Sequence, residues 1–180
     1  MKWLLFLLLV LGVAACAPEN SACFPPILET VGEGNLESFI DIDLLKKHYG
    51  IDSEVQTSCL LPTNNDFIHG QECELKWQDS TGKFVGLKVS QTIMKNPETF
   101  QKQVQKFEKL FQQPAAAPQW EELDLCQGGR TFLYIPDLRY TILAKDSIVF
   151  SLGHSRRLFP NSAYRDGIRE VSEGFLRALL

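Results

Sequence analysis

The chain has little of what metalloproteins and most enzymes are built from. Its three histidines are His48, His69 and His154, no two of them within twenty residues of each other. Pairs such as H-E-x-x-H, whose helical spacing aims two imidazoles at one metal, are therefore excluded. The five cysteines contain no C-x-x-C knuckle, which removes the usual zinc framework. G-x-S-x-G, the P-loop and G-x-G-x-x-G are absent, so neither a nucleophile elbow nor a glycine-rich phosphate cradle is signalled. Basic charge is scarce too. Lys and Arg number 18 against 22 Asp and Glu, unlike a protein that must neutralise nucleic-acid phosphates. Asp41-Ile42-Asp43 fails as a calcium loop because Leu45 stands where a third oxygen ligand is needed, and it reads as a helix cap. Gly128-Gly129-Arg130 leads into a strand and reads as a hairpin turn, not an anion site. Each histidine reads as a surface residue. The expectation is no metal, no cofactor and no catalytic residue.

What is present begins at the N-terminus. Met1-Lys2 is followed by an apolar stretch from Trp3 to Val13, a charged start and a signal-peptide core too short to span a bilayer. The stretch ends in Val13-Ala14-Ala15-Cys16, which resembles the lipobox of bacterial lipoproteins. That resemblance implies cleavage before Cys16, lipidation of Cys16 and a domain held outside the cytoplasm by acyl chains. In lipoproteins of cells with two membranes, Ala17 in place of Asp after the cysteine implies the periplasmic face of the outer membrane. Residues 1–15 then form the signal peptide, residues 16–26 a small, polar, proline-containing tether, and residues 27–180 one domain, a comfortable length for a single core.

Without Lys2 the mature chain carries 17 basic and 22 acidic side chains. The acidic excess is early, between Glu19 and Glu54. Arg156, Arg157, Arg165, Arg169 and Arg177 come late, interleaved with Asp166, Glu170 and Glu173, and Arg169/Glu173 and Glu173/Arg177 have the four-residue spacing of a solvated helix face. With Cys16 assigned to lipid, Cys23, Cys59, Cys73 and Cys126 remain, an even set in an oxidising compartment. Cys59 and Cys73 bracket a turn-rich segment between two strand-like runs. The favoured pairing is thus Cys59 with Cys73 and Cys23 with Cys126, although three pairings are open.

A short helix from Leu44 to Tyr49, capped by Asp41 or Asp43, stops at Gly50. Val55, Thr57, Cys59 and Leu61 alternate, then Cys73, Leu75 and Trp77, then Val85, Leu87, Val89 and Ile93; a loop from Pro62 and the Asp79-Ser80-Thr81-Gly82 turn join them. Asn96-Pro97-Glu98 opens a helix through Gln112 with Phe100, Val104, Phe107 and Phe111 on one stripe. Strand-like runs recur at Trp120 to Leu125, Thr131 to Ile135, Tyr140 to Ala144 and Ile148 to Leu152. A last helix from Ser162 to Leu179 aligns Tyr164, Ile168, Val171, Phe175 and Leu179. Blocks of hairpins separated by single helices predict an α+β fold with an antiparallel sheet covered by helices. In element order alone the layout resembles the PsbP-like fold, an antiparallel sheet sandwiched by helices; no functional residue is carried over from it.

The expected function is a non-catalytic binding or interaction module of the cell envelope, with the membrane and another envelope protein as partners. A carrier of lipid or another apolar ligand is the alternative, since Phe84, Phe100, Phe107, Phe111, Trp120, Phe132, Tyr134, Phe150 and Phe175 could line a cavity; core packing is their more ordinary role. An envelope hydrolase, with His154 beside Ser151 or Ser155, comes third.

Overall fold

Strict alternation of apolar side chains along two long strands sets the architecture. The computed structural model describes residues 36–113, 119–125, 128–154 and 162–180. In β3 (Ile68–Gln78), Cys73, Leu75 and Trp77 are buried on one face, and in β4 (Phe84–Met94) Val85, Leu87 and Val89 share that face. The two strands pair antiparallel over their full length. Their turn is organised by Asp79, whose carboxylate accepts from the Thr81 and Lys83 amides and the Thr81 hydroxyl; Gly82 supplies the positive φ, 77°, that closes it. Hydrogen bonds from Thr81 hold the Asp79 carboxyl below its ordinary range.

The strands β1 (Gln56–Cys59), β2 (Thr63–Asn64), β5 (Trp120–Leu123), β6 (Gly129–Tyr134), β7 (Arg139–Ala144) and β8 (Ile148–His154) complete one eight-stranded antiparallel sheet. Its order is β1-β3-β4-β8-β7-β6-β5, with β2 also on β3. This is the α+β fold class that the alternation of hairpins and helices predicts. Cys59 lies opposite Cys73 in the β1–β3 register, and a disulfide joins them, as favoured from the spacing. Cys16, Cys23 and Cys126 lie outside the described residues, as do the segments expected as signal peptide and tether, residues 1–15 and 16–26.

Helices cover the two faces unequally. On the first face α1 (Leu36–Phe39), α2 (Ile42–Tyr49) and α4 (Ser162–Leu179) enclose the main core, in which Leu45, Leu75, Tyr140, Phe150 and Phe175 are fully buried. Asp41 caps α2 by accepting from the Leu44 amide, and Gly50 ends it at φ 62°. On the second face α3 (Pro97–Gln112) is the one helix among the described residues, with Asn96 as its cap and Pro97 in its first turn. Its Phe100, Phe107 and Phe111 pack on Phe132, Leu143, Trp120 and Met94. Phe107 stacks on Phe132 with centroids 4.5 Å apart, and each such ring removes enough area from water to contribute roughly 1.5–3 kcal/mol.

Several local expectations are corrected. Leu61 does not continue the buried face of β1: it is 92% exposed. After Cys59↔Cys73 pairing resumes only at Thr63↔Gly70, so three residues, Leu60-Leu61-Pro62, oppose two, Gln71 and Glu72. That extra residue bulges the edge and breaks the alternation. The segment after Pro62 is not wholly loop, because β2 lies in it. His69 sits within β3. β5 ends at Leu123, and a 3-10 turn at Ile135–Asp137 takes the end expected for β6.

Candidate functional site

Two features stand out where β8 ends: a buried polar cluster on the covered face and an open groove on the other. His154 is the last residue of β8 and, against expectation, is buried, 9% exposed. The physical reason is strand parity, since residues 148, 150, 152 and 154 all point into the main core. Its Nδ1 lies 2.8 Å from the Leu138 carbonyl oxygen. That oxygen can only accept, so Nδ1 carries the proton and Nε2 presents its lone pair. The hydroxyls of Tyr49 and Ser172 each stand 2.9 Å from Nε2. Tyr49 also reaches Ser172 at 3.1 Å, and Ser172 donates back along its helix to the Ile168 carbonyl at 2.6 Å.

Neutral groups satisfy this network. Burial lowers the His154 pKa to about 4, against a smaller raising effect of the Leu138 carbonyl, and burial pushes the Tyr49 phenol far above its ordinary range. Leu138 holds its carbonyl there at φ 42°, a left-handed conformation that costs a leucine roughly 1–2 kcal/mol; burial of its side chain and the His154 bond offset that cost. A Ser–His nucleophile pair would need an accessible hydroxyl and an acid orienting the imidazole. Here Ser172 is fully buried, and a peptide carbonyl occupies Nδ1. Ser151, the sequence candidate, points to the opposite face from His154; Ser155 lies outside the described residues.

Tyr49 and Ser172 were not singled out from the sequence. A signal existed for Ser172. It is a polar residue four after Ile168 and three before Phe175, inside the apolar stripe of α4, where only a satisfied hydroxyl is tolerated. His48 is half-buried edge-on to Phe175, and Cβ growth at Gly174 would come 3.3 Å from its ring. His69 lies across from Asn64 and Ile93. Among the described residues no group of three or more His, Cys, Asp or Glu could hold a metal ion, and no helix is long and apolar enough to cross a membrane.

Among the described residues nothing covers the second face where α3 does not reach, over β3, β4 and the ends of β7 and β8. A groove of about 480 Å³ lies there, lined by Glu74, Lys76, Phe84, Lys88, Asp137 and Arg139 with Gly86 and Gly153 between them. Cross-strand register explains the shape. Glu74, Lys88, Gly153, Arg139 and Tyr134 fall in one row across the sheet, since Tyr140 pairs with Leu152 and its neighbour Arg139 faces Gly153. The glycine leaves that row without a side chain at its centre. Lys76 pairs with Glu74, and Lys88 with Glu72, each at 2.8 Å; the Glu72 bond raises the Lys88 pKa. Arg139 stacks over the Tyr134 ring at 5.4 Å. Phe84 is 47% exposed at the end of the groove.

The other sequence candidates are absorbed by structure. Arg130 bonds Glu122 through two nitrogens and Glu108 through a third, tying α3 to the β5–β6 hairpin. Arg169 pairs with Glu173, as its spacing predicts, and with Glu121 on β5, while Arg177 donates to the Asp124 carbonyl. Arg156 and Arg157 lie outside the described residues, and so does the side chain of Arg165. Of the nine aromatics, Phe100, Phe107, Phe111, Trp120 and Phe132 form the cluster under α3, Phe150 and Phe175 fill the main core, and Tyr134 packs on Trp120. No protein-family model, curated protein or solved structure matches this chain.

Proposed function

We propose that the protein is a lipid-anchored envelope lipoprotein whose domain acts as a non-catalytic interaction module, and that the groove on the bare half of the second sheet face is where it binds. One contrast supports the reading: the residues best suited to chemistry, buried His154 and Ser172 and half-buried Tyr49, are bonded to one another, whereas the exposed, shaped surface carries charge and aromatic area. Lys76, Lys88 and Arg139 stand among Glu74, Glu72 and Asp137, with Lys76 paired to Glu74 and Lys88 to Glu72. Arg, Tyr and Phe are the side chains that concentrate binding energy at protein interfaces. The partner is a segment of another envelope protein that offers apolar area to Phe84 and polar groups to the charged rows beside it.

The test is a photo-crosslinking side chain placed at Phe84 in the full chain, with Lys109, exposed on α3, as the control position. One defined partner joined at 84, absent at 109 and lost when Lys88 and Arg139 are both changed to Glu, supports the reading. Equal yields at the two positions, or none at 84, remove it.

A further inference from the structure

We propose that the bulged sheet edge at Leu60, Leu61 and Phe67 is a membrane-contact surface that seats the domain on the lipid layer holding its own anchor; the presence of that layer rests on the lipobox reading. Among the described residues four large apolar side chains are exposed, and three of them are here: Leu60 at 63%, Leu61 at 92% and Phe67 at 65%. The backbone holds them out by construction. The Cys59–Cys73 disulfide closes the base of the bulge, and the Leu60 amide donates to the Glu72 carbonyl. Across the tip, Asn65 accepts from the Phe67 and Ile68 amides. Lys95 fastens the tip by donating its ammonium to Asn64 and the Asn65 carbonyl and its amide to the Phe67 carbonyl. An apolar loop so thoroughly tied down presents its side chains without an ordering cost at binding.

The path of the chain selects the occupant. The Leu36 amide donates to the Gln71 side chain, whose other end donates to the Leu60 carbonyl. The segment arriving from Cys16 thus joins the domain at this edge. The twenty residues from Cys16 to Leu36 span at most roughly 70 Å, so the anchor keeps the edge within reach of the bilayer. Charge fits an apolar contact: Lys95 is engaged at the tip, Asp66 is exposed beside it, and the two cancel. Leucine and phenylalanine side chains suit the boundary between headgroups and acyl chains. Pro62 and the bulge prevent the edge from pairing with another strand, which argues against a second copy as the occupant.

Leu61→Trp and, as a control, Phe84→Trp are made in the full chain and mixed with vesicles of phosphatidylethanolamine and phosphatidylglycerol, some with acyl chains brominated near the headgroup. The parent protein gives the background of its own tryptophans. The expected result is blue-shifted emission from position 61 that brominated lipid quenches at low and high salt, with no quenching at 84. Mass spectrometry of the mature N-terminus in the same sample reports the anchor separately. Quenching at 61 without acyl chains on Cys16 would remove the anchor and leave the membrane-contact edge standing. No quenching at 61, or equal quenching at 61 and 84, overturns the edge whether or not Cys16 is lipidated. A blue shift at 61 that grows with protein concentration without lipid assigns the edge to a second copy and also overturns it.

Discussion

The two faces of the sheet are built from the same alternating strands yet end up opposite in character. The face beneath α1, α2 and α4 is closed over aliphatic and aromatic side chains, and within it Gln71, Tyr49, His154 and Ser172 bond to one another or to backbone. The face beneath α3 is aromatic where the helix lies and, among the described residues, uncovered and charged where it does not. One sixteen-residue helix cannot cover what three helices cover on the other side. If the groove binds as proposed, stability and recognition lie on opposite faces. Changes on the first face are expected to cost folding free energy, and changes on the bare half of the second to cost binding alone.

The largest effect belongs to the closed core. Phe175→Ala empties a fully buried ring position between Tyr49, His48 and the sheet, which should destabilise the protein by about 3–5 kcal/mol. Phe84→Ser, exposed on the bare half, should change stability by less than about 0.5 kcal/mol. Chemical denaturation of both variants checks the pair; similar midpoints would erase the distinction between the faces.

Next comes acid. His154 titrates at about 4 in the folded protein and near 6.5 when unfolded, so between those values the unfolded chain binds the proton first. Stability contributed by the neutral imidazole is complete above about pH 6.5 and is lost as pH falls to about 4, a total of roughly 3 kcal/mol. His154→Gln should be less stable at neutral pH and should lose that slope, as denaturation midpoints from pH 7 to 4 would show. An unchanged slope would mean that the buried network is not what the protein gives up in acid.

The Cys59–Cys73 bridge follows. It closes a 14-residue separation, and removing such a crosslink frees the unfolded chain by roughly 3 kcal/mol, less whatever the hairpin itself retains when unfolded. Replacing both cysteines by alanine should lower the thermal midpoint and loosen β1 and β2, read as faster amide exchange at Leu60 with β4 and β8 unaffected. A uniform rise in exchange across the sheet would contradict this local role.

Wherever one physical cause dominates, the sequence is readable. The Asn96-Pro97 start of α3, the Asp79 turn and the Cys59–Cys73 pair follow from capping, turn chemistry and strand register, all local. What escaped was set by tertiary context. Leu61 fits the alternation of β1, but Pro62 and the bulge turn it outward. His154 has the look of a strand-end surface residue until α2 and α4 close over it and bring Tyr49 and Ser172, 105 and 18 residues distant in sequence, to its ring. The groove is an absence of covering, and its glycines give no sign in sequence of which face they share.

Those glycines provide the finest test of the comparison between faces. Gly86 and Gly153 both border the groove, yet only one is required by the fold. A Cβ at Gly86 would stand 2.4 Å from the Leu75 carbonyl oxygen, a backbone atom that cannot move aside, whereas at Gly153 its nearest neighbours are 3.9 Å away. Gly86→Ala should therefore strain the β3–β4 ladder and lower stability. Gly153→Leu should leave stability unchanged or raise it by up to about 1 kcal/mol, because glycine is a poor strand residue, while its side chain fills the centre of the groove. Retained stability with lost crosslinking at position 84 is the expected pairing for Gly153→Leu. If that variant folds as well as the parent and still captures the partner, recognition lies elsewhere and the bare half of the face is only a solvated surface.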